Sequence, residues 1–317
     1  MSVRIGTRAS KLALMQTELV AGRLQGIDPT LDVEVVKITT GGDKNRPVPI
    51  VNLGGPGGFF KKLEDALMNK EVDLVVHSLK DMPTESHESL TIVAVLNRED
   101  PRDVLVSREH RQLSELTPGS KVATSSRRRL AQLKALRKDL EFIDIRGNVP
   151  TRVEKMDSGA ADAIVLASAG LTRLAMADRI THYFEENECT PAAGQGALAV
   201  QCRADDRKLV ETLSLLDETA VRKEISAERA FLKVLGGGCS VPIGARAKLE
   251  ADDTLLLTGC VASLDGSRIV RETLSVKGAK IDAEALGREL AELILATPAR
   301  QILEELKLSD PNKVSPP

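Results

Sequence analysis

At 317 residues the chain is too long for one ordinary hydrophobic core, so two or three domains are expected. A formal net charge of −2 excludes a global basic field that would draw the protein to nucleic acid. Aromatic residues make up 2%, with no Trp, which argues against a surface that stacks bases.

The opening MSVRIGTRAS has no apolar signal core, and no apolar run approaches a membrane span, so the expected setting is the cytoplasm. VRIGT running into SKLALMQTELVAGRLQG reads as a short strand and an amphipathic helix. Leu12, Met15, Leu19 and Val20 share one helical face, and Gly26 can end it. LGGPGGFF, residues 53–60, is glycine-rich but lacks the Lys-Ser/Thr of a phosphate loop, and reads as a mobile flap before a helix. LEDALMNKEVDLVVHSLKD is a helix, then an Asp, then a strand that ends at Lys80 and Asp81. NREDPRDVLVS, residues 97–107, is charged and turn-prone.

The order then repeats. KVATSSRRRLAQLKALRK is again strand, Thr, polar and basic residues, helix, with Thr124 aligned on Thr7. VEKMDSGAADAIVLASAG matches the second segment, with Asp162 on Asp73. This weak internal repeat predicts two similar α/β domains. GQGALAVQCR reads as a strand that returns to the first domain. From about residue 219 the character changes. TAVRKEISAERAFLKVLGGG is one helix, LLLTGCVASLDGSRIVRETLSV is a hairpin around Asp265-Gly266, and two helical patterns finish the chain. The expected boundaries are 1–96 with 197–216, then 97–196, then a small α+β domain over 217–317.

Ligands of parallel α/β sheets bind beyond the carboxyl ends of the strands. Those ends are basic here: Arg8, Lys80, Arg127, Arg128, Arg129, Arg146, Arg152 and Arg173. Guanidinium forks and helix N-termini suit a polyanion, although any one of these arginines could equally lie on a solvated helix face. Without a phosphate motif, carboxylates are the expected anion. One acid, Asp81, stands among the bases. It suits a cationic intermediate or proton transfer, or else it forms a plain salt bridge to a neighbour. His77 is strand-embedded and reads as structural, and His87, His110 and His182 lack ligand spacing. The cysteines 189, 202, 239 and 260 include no C-x-x-C pair, so no metal is expected, and a reducing compartment argues against disulfides. In VLGGGCSVPIG, Cys239 follows three glycines. A small buried thiol is the common fate of a lone cysteine, but such a bare backbone also suits a thiol that carries something bulky.

GTRASKLAL, VDLVVHSLKDMPT, REDPRDV, ATSSRRRLAQL, RGNVPTR, LASAGLTRL, AGQGALAVQCR and ERAFLKVLGGGCSVPIG occur in the order found in the hydroxymethylbilane synthase (porphobilinogen deaminase) family. The chain resembles that family over nearly its whole length. The resemblance implies two periplasmic-binding-protein-like (type II) domains around a cleft and a small third domain. It implies a transferase of porphyrin, tetrapyrrole and heme biosynthesis that joins four porphobilinogens head to tail with loss of ammonia. The product, hydroxymethylbilane, passes to uroporphyrinogen-III synthase. It also implies a monomer, with no nucleic-acid or membrane partner. The implied cofactor is dipyrromethane, a thioether on Cys239. Lys80, Ser78, Thr124, Ser125, Arg128, Arg129, Arg146 and Gly147 are its implied binding residues. Arg8, Ser10, Phe59, Arg146, Arg152, Arg173 and Gln195 are implied to bind substrate. The implied catalytic residue is Asp81, opposite the cationic azafulvene left when ammonia departs. The sequence departs from the family at Pro56 and Asn52, where lysine is usual, and at Arg127, where an apolar residue is usual. A two-domain solute-binding protein for an organic polyanion is the rival class, and the Cys239 domain counts against it.

Overall fold

β-branched and apolar residues at alternate positions make Ser2–Arg8 a strand with one face inward, and Val3 and Ile5 are its buried pair. The structure, a computed structural model, describes residues 2–38, 58–237, 241–278 and 280–308. In chain order its elements are β1 (Ser2–Arg8), α1 (Lys11–Ile27), β2 (Asp32–Ile38), α2 (Gly58–Met68), β3 (Leu74–Ser78) and β4 (Leu90–Leu96). Then come β5 (Asp103–Ser107), β6 (Lys121–Ala123), α3 (Arg127–Leu136), β7 (Glu141–Ile143), α4 (Val149–Asp157), β8 (Ala163–Ala167), α5 (Ser168–Arg173) and β9 (His182–Tyr183). The remainder is β10 (Leu198–Arg203), α6 (Arg207–Ser214), α7 (Thr219–Val234), β11 (Ile243–Leu249), β12 (Thr254–Ala262), β13 (Ile269–Lys277), α8 (Ala283–Leu295) and α9 (Ala299–Leu308).

The chain forms two compact units. The first holds Met1–Pro101, Ala169–Ala177 and Gln195–Arg222. Its sheet has the order β2-β1-β3-β10-β4. β1 runs parallel to β2 and β3, and β10 lies antiparallel between β3 and β4. One face packs Ile5, Val20, Leu24, Leu74, Val76 and Val200, and the other packs Leu63, Leu67, Val72 and Val75. At the start of β3, Asp73 accepts from the Arg4 backbone N–H at 2.9 Å, and its own N–H donates back to the Arg4 carbonyl at 2.9 Å. Arg4 and Arg203 close on the same carboxylate through their guanidinium groups. These cations hold the Asp73 carboxyl below its ordinary range, although burial alone would raise it.

The second unit holds Arg102–Ser168, Asp178–Gly194 and Lys223–Pro317. Its first sheet, β7-β6-β8-β5-β9, has the same plan: β6 is parallel to β7 and β8, and β5 is antiparallel to β8. Asp162 repeats the Asp73 device. It accepts from the Lys121 N–H at 2.8 Å and donates its own N–H to the Lys121 carbonyl at 2.9 Å. The aligned aspartates of the sequence repeat therefore do one job in both sheets. They join the first edge of a parallel pair before the ladder begins.

The same unit carries an antiparallel sheet, β11-β12-β13, backed by α8 and α9. Its core is separate and includes Phe231, Leu255, Leu257, Leu290 and Ile294. Arg271 on β13 ties it to the neighbouring sheet by donating to Thr190 Oγ1 at 3.0 Å and Gln132 Oε1 at 3.1 Å. The β12–β13 turn runs through Gly266 at φ +73°, where a Cβ would sit 2.6 Å from the Ala131 carbonyl oxygen. Only glycine fits that approach. Among the described residues no helix is long and apolar enough to cross a membrane.

Candidate active site

In the first unit, the site residues foreseen from sequence collect where β1 and β3 end. Arg8 is the last residue of β1 and is half-buried. Ser10 caps α1, its hydroxyl accepting from the Ala13 N–H at 3.3 Å, which fixes the turn between strand and helix. Ser78 ends β3, and its hydroxyl accepts from Gln16 Nε2 at 2.9 Å. After β3 a single 3₁₀ turn, Leu79–Asp81, buries Leu79 and leaves Asp81 exposed. Lys80 donates to Gln195 Oε1 at 3.1 Å, and Gln195, itself buried, donates to the Pro101 carbonyl at 2.6 Å.

Asp81 differs from its neighbours. Among the described residues its carboxylate has no hydrogen bond and no ion pair, so the plain salt bridge considered above is not formed. Arg173 has the opposite condition. Its Nη2 donates to the carbonyls of Asn97 at 2.8 Å and Gly196 at 2.7 Å, and burial pulls its pKa down. Gly196 has φ +92°, and a Cβ there would strike the Glu99 carbonyl. The glycine therefore sets the carbonyl that anchors Arg173.

In the second unit the residues collect where β6 and β7 end. Thr124 is buried, and its hydroxyl accepts from the Ser126 N–H at 3.2 Å. Ser126 in turn caps α3 by accepting from the Arg129 N–H at 3.4 Å. Ser125 donates to the Ile145 carbonyl, which joins this turn to the loop after β7. In that loop Arg146 donates through Nε to Asp144 at 2.7 Å and leaves its side chain 63% exposed. Burial would raise the Asp144 pKa, but the Ser125 hydroxyl and Arg146 outweigh it and hold the carboxyl low. Gly147 takes φ +125°, and its carbonyl accepts from Arg152 Nε at 2.8 Å. Asn148 then caps α4, with its Oδ1 accepting from the Thr151 N–H at 2.9 Å.

Arg127 is exposed, whereas Arg128 and Arg129 turn inward. Both meet the fully buried Asp103 at the start of β5, at 2.6 and 2.7 Å. Arg128 also reaches the Thr190 carbonyl at 2.8 Å, and Arg129 reaches the Val165 carbonyl at 3.0 Å.

Sequence reasoning missed Gln16, Asp103 and Asp144. Each carried a faint signal: a polar residue on an apolar helix face, an acid opening the apolar run Val104–Val106, and an acid two places before a strand-end arginine. His77 is buried, 3.0 Å from Gln201 Oε1, and burial lowers its pKa to about 4. Among the described residues no group of His, Cys, Asp and Glu could hold a metal ion. Cys239, the flap residues before 58 and the Phe59 side chain lie outside the described residues.

Taken unit by unit, this is an α/β protein whose parallel strands end in cations with donors to spare and one unpaired carboxylate, an arrangement suited to an organic polyanion. Comparison with known proteins narrows the class. The family model "Porphobilinogen deaminase, dipyromethane cofactor binding domain" matches residues 3–211, and "Porphobilinogen deaminase, C-terminal domain" matches 222–296. The chain is 45% identical over 304 residues to "Porphobilinogen deaminase" of Trichlorobacter lovleyi, covering 96% of each chain. It is 44% identical over 308 residues to the protein of the same name from Nostoc sp., covering 96% of this chain and 94% of that one. Among solved structures, the methionine-binding protein MetQ aligns with a TM-score of 0.43 at 14% identity, covering 68% of this chain and 89% of that one. The chain belongs to the porphobilinogen deaminase family.

Proposed function

We propose that the chain is a hydroxymethylbilane synthase, a transferase that condenses four porphobilinogens onto a covalently held dipyrromethane, with loss of ammonia, and releases the linear tetrapyrrole by hydrolysis. The observation that carries this reading is the unpaired Asp81 carboxylate one residue from Lys80, at a strand end of a chain in this family. When bound, dipyrromethane supplies the pyrrole carbon to which each new unit is joined.

The donors present fit such a group. Arg128 keeps two guanidinium nitrogens unpartnered among the described residues, and Arg146 is 63% exposed with one nitrogen committed. Both can take the acetate and propionate carboxylates of a pyrrole chain. In this reading Cys239 forms the thioether, and Lys80, Ser78, Thr124, Ser125, Arg128, Arg129, Arg146 and Gly147 surround the cofactor. Arg8, Ser10, Phe59, Arg146, Arg152, Arg173 and Gln195 receive the substrate. Gln195 holds Lys80 by its ammonium, and the Gly196 carbonyl holds Arg173, so both cations are oriented before an anion arrives. Asp81 has no partner to give up. Its charge is available to the positive charge that develops on porphobilinogen as ammonia leaves, and its oxygens can accept the proton lost after bond formation.

The domain reading goes with it: 1–96 with 197–216 carries Asp81, 97–196 the second set of cations, and 217–317 Cys239. The separate core behind β11–β13 supports treating the last as a domain of its own. We further read the protein as a cytoplasmic monomer that passes hydroxymethylbilane to uroporphyrinogen-III synthase. The test is Asp81→Ala. It should lose tetrapyrrole formation by roughly a hundredfold or more, as loss of a general acid–base does, with an unchanged melting curve. Normal turnover in that variant would remove Asp81 from the chemistry.

A further inference from the structure

Arg128 and Arg129 are adjacent, equally charged and equally buried, but the structure uses them differently. Asp103 is 0% exposed, and the Arg128 and Arg129 side chains are 5% and 8% exposed. Two cations therefore face one anion in a nearly dry site, which leaves one positive charge in surplus. The thiol beside them does not offset it, because burial pushes Cys189 up and keeps it neutral.

The hydrogen bonds show where the surplus lies. Arg129 turns its flat Nε–Nη2 edge on Asp103 Oδ1, at 2.8 and 2.7 Å, and gives Nη1 to the Val165 carbonyl at 3.0 Å. Every nitrogen of its guanidinium is committed. Arg128 commits only Nη1, which reaches Asp103 Oδ2 at 2.6 Å and the Thr190 carbonyl at 2.8 Å. Gln132 braces the same carbonyl from the next turn of α3, donating to it at 3.1 Å. Nε and Nη2 of Arg128 have no partner among the described residues. Those two nitrogens form the parallel-donor edge that matches a carboxylate.

We infer that Arg128 alone reads a ligand carboxylate, through its Nε–Nη2 edge, and that Asp103 and Arg129 are positioning residues acting through it. Arg129 neutralises Asp103 and holds it in place. Asp103 then fixes the Arg128 guanidinium by one nitrogen and leaves its two-donor edge free. The assignment rests on the proposed function for the identity of the ligand, a carboxylate of the dipyrromethane.

The test uses the full chain, prepared without porphobilinogen and then incubated with it over a range of concentrations. Intact mass under denaturing conditions reads the fraction loaded, and circular dichroism reads the melting temperature. Arg128→Lys should raise the half-loading concentration roughly tenfold or more, as expected for losing a charged hydrogen-bonded pair, with little change in melting. Arg129→Lys should melt at a lower temperature yet, while folded, load within about threefold of the parent. Asp103→Asn should do both, and in the Arg128→Lys background it should add no further loss of loading, because its effect passes through Arg128. Arg128→Lys loading like the parent, or Asp103→Asn adding its full loss on top of Arg128→Lys, would overturn the assignment. So would a folded Arg129→Lys that loads as poorly as Arg128→Lys. If Arg129→Lys does not fold, the cycle between Asp103 and Arg128 decides. A parent chain that gains no mass fails at an earlier step: it overturns the enzymatic reading, and this assignment with it.

Discussion

His77 shows how one buried side chain ties stability to pH. It sits on β3, under the strand end that carries Lys80 and Asp81, stacked 5.1 Å from Phe60 and bonded to Gln201, which in turn donates to Glu64 at 2.8 Å. Burial lowers its folded pKa to about 4, while the unfolded chain titrates near the ordinary histidine value. Between those values the unfolded state binds a proton that the native state does not. This contribution is therefore complete at neutral pH and is lost as pH falls from about 6.5 to about 4, amounting to about 3 kcal/mol at the acid end. Urea midpoints measured from pH 7 to pH 4.5 should fall, and His77→Asn should flatten the slope. An equal slope in both proteins would assign the acid sensitivity to other groups. At this scale the sequence showed which residue types stand at strand ends, because period-2 runs end visibly at charged residues. It did not show pairing. Nothing in SSRRRL distinguishes Arg127, Arg128 and Arg129. Their difference comes from helical rotation at α3, which exposes the first and turns the next two toward Asp103.

Elements carry the repeat. Asp73 and Asp162 stand one residue before β3 and β8, and each clasps the residue before its parallel pair begins. The clasp was legible as an x-Asp-apolar pattern, but its hydrogen bonds were not, since the partners Arg4 and Lys121 lie far away in sequence. Asp73→Ala removes bonds to the Arg4 N–H and to two guanidinium groups. It should lower unfolding free energy by about 2 kcal/mol, the scale of charged hydrogen bonds. An unchanged urea midpoint would show the clasp to be dispensable. Gly196 is a second element-scale position. Gly196→Ala forces a side chain onto the Glu99 carbonyl at φ +92° and displaces the carbonyl that holds Arg173. Substrate affinity should weaken along with stability, by roughly tenfold in KM, about 1.4 kcal/mol. A rise in KM without loss of stability, or the reverse, would separate the two roles.

At the scale of the whole molecule, three sheets divide the labour. Two share one topology in which an antiparallel strand, β10 or β5, is inserted beside the last parallel strand. The return of β10 to the first sheet was readable because its run, LAVQCR, comes after the second repeat is complete. The boundary of the last domain was harder to read. α7 runs through Arg222 without a break, and Glu228 within it accepts from the Gly194 and Ala247 N–H groups, both at 2.7 Å, so no change in composition marks the end of one unit. The central claim is that this assembly carries a pyrrole chain on Cys239. The most direct measurement is the intact mass of the purified chain under denaturing conditions, beside Cys239→Ser. The account predicts an excess equal to two linked pyrroles in the parent and none in the variant. An unmodified parent after incubation with porphobilinogen, or the same excess in Cys239→Ser, would contradict it.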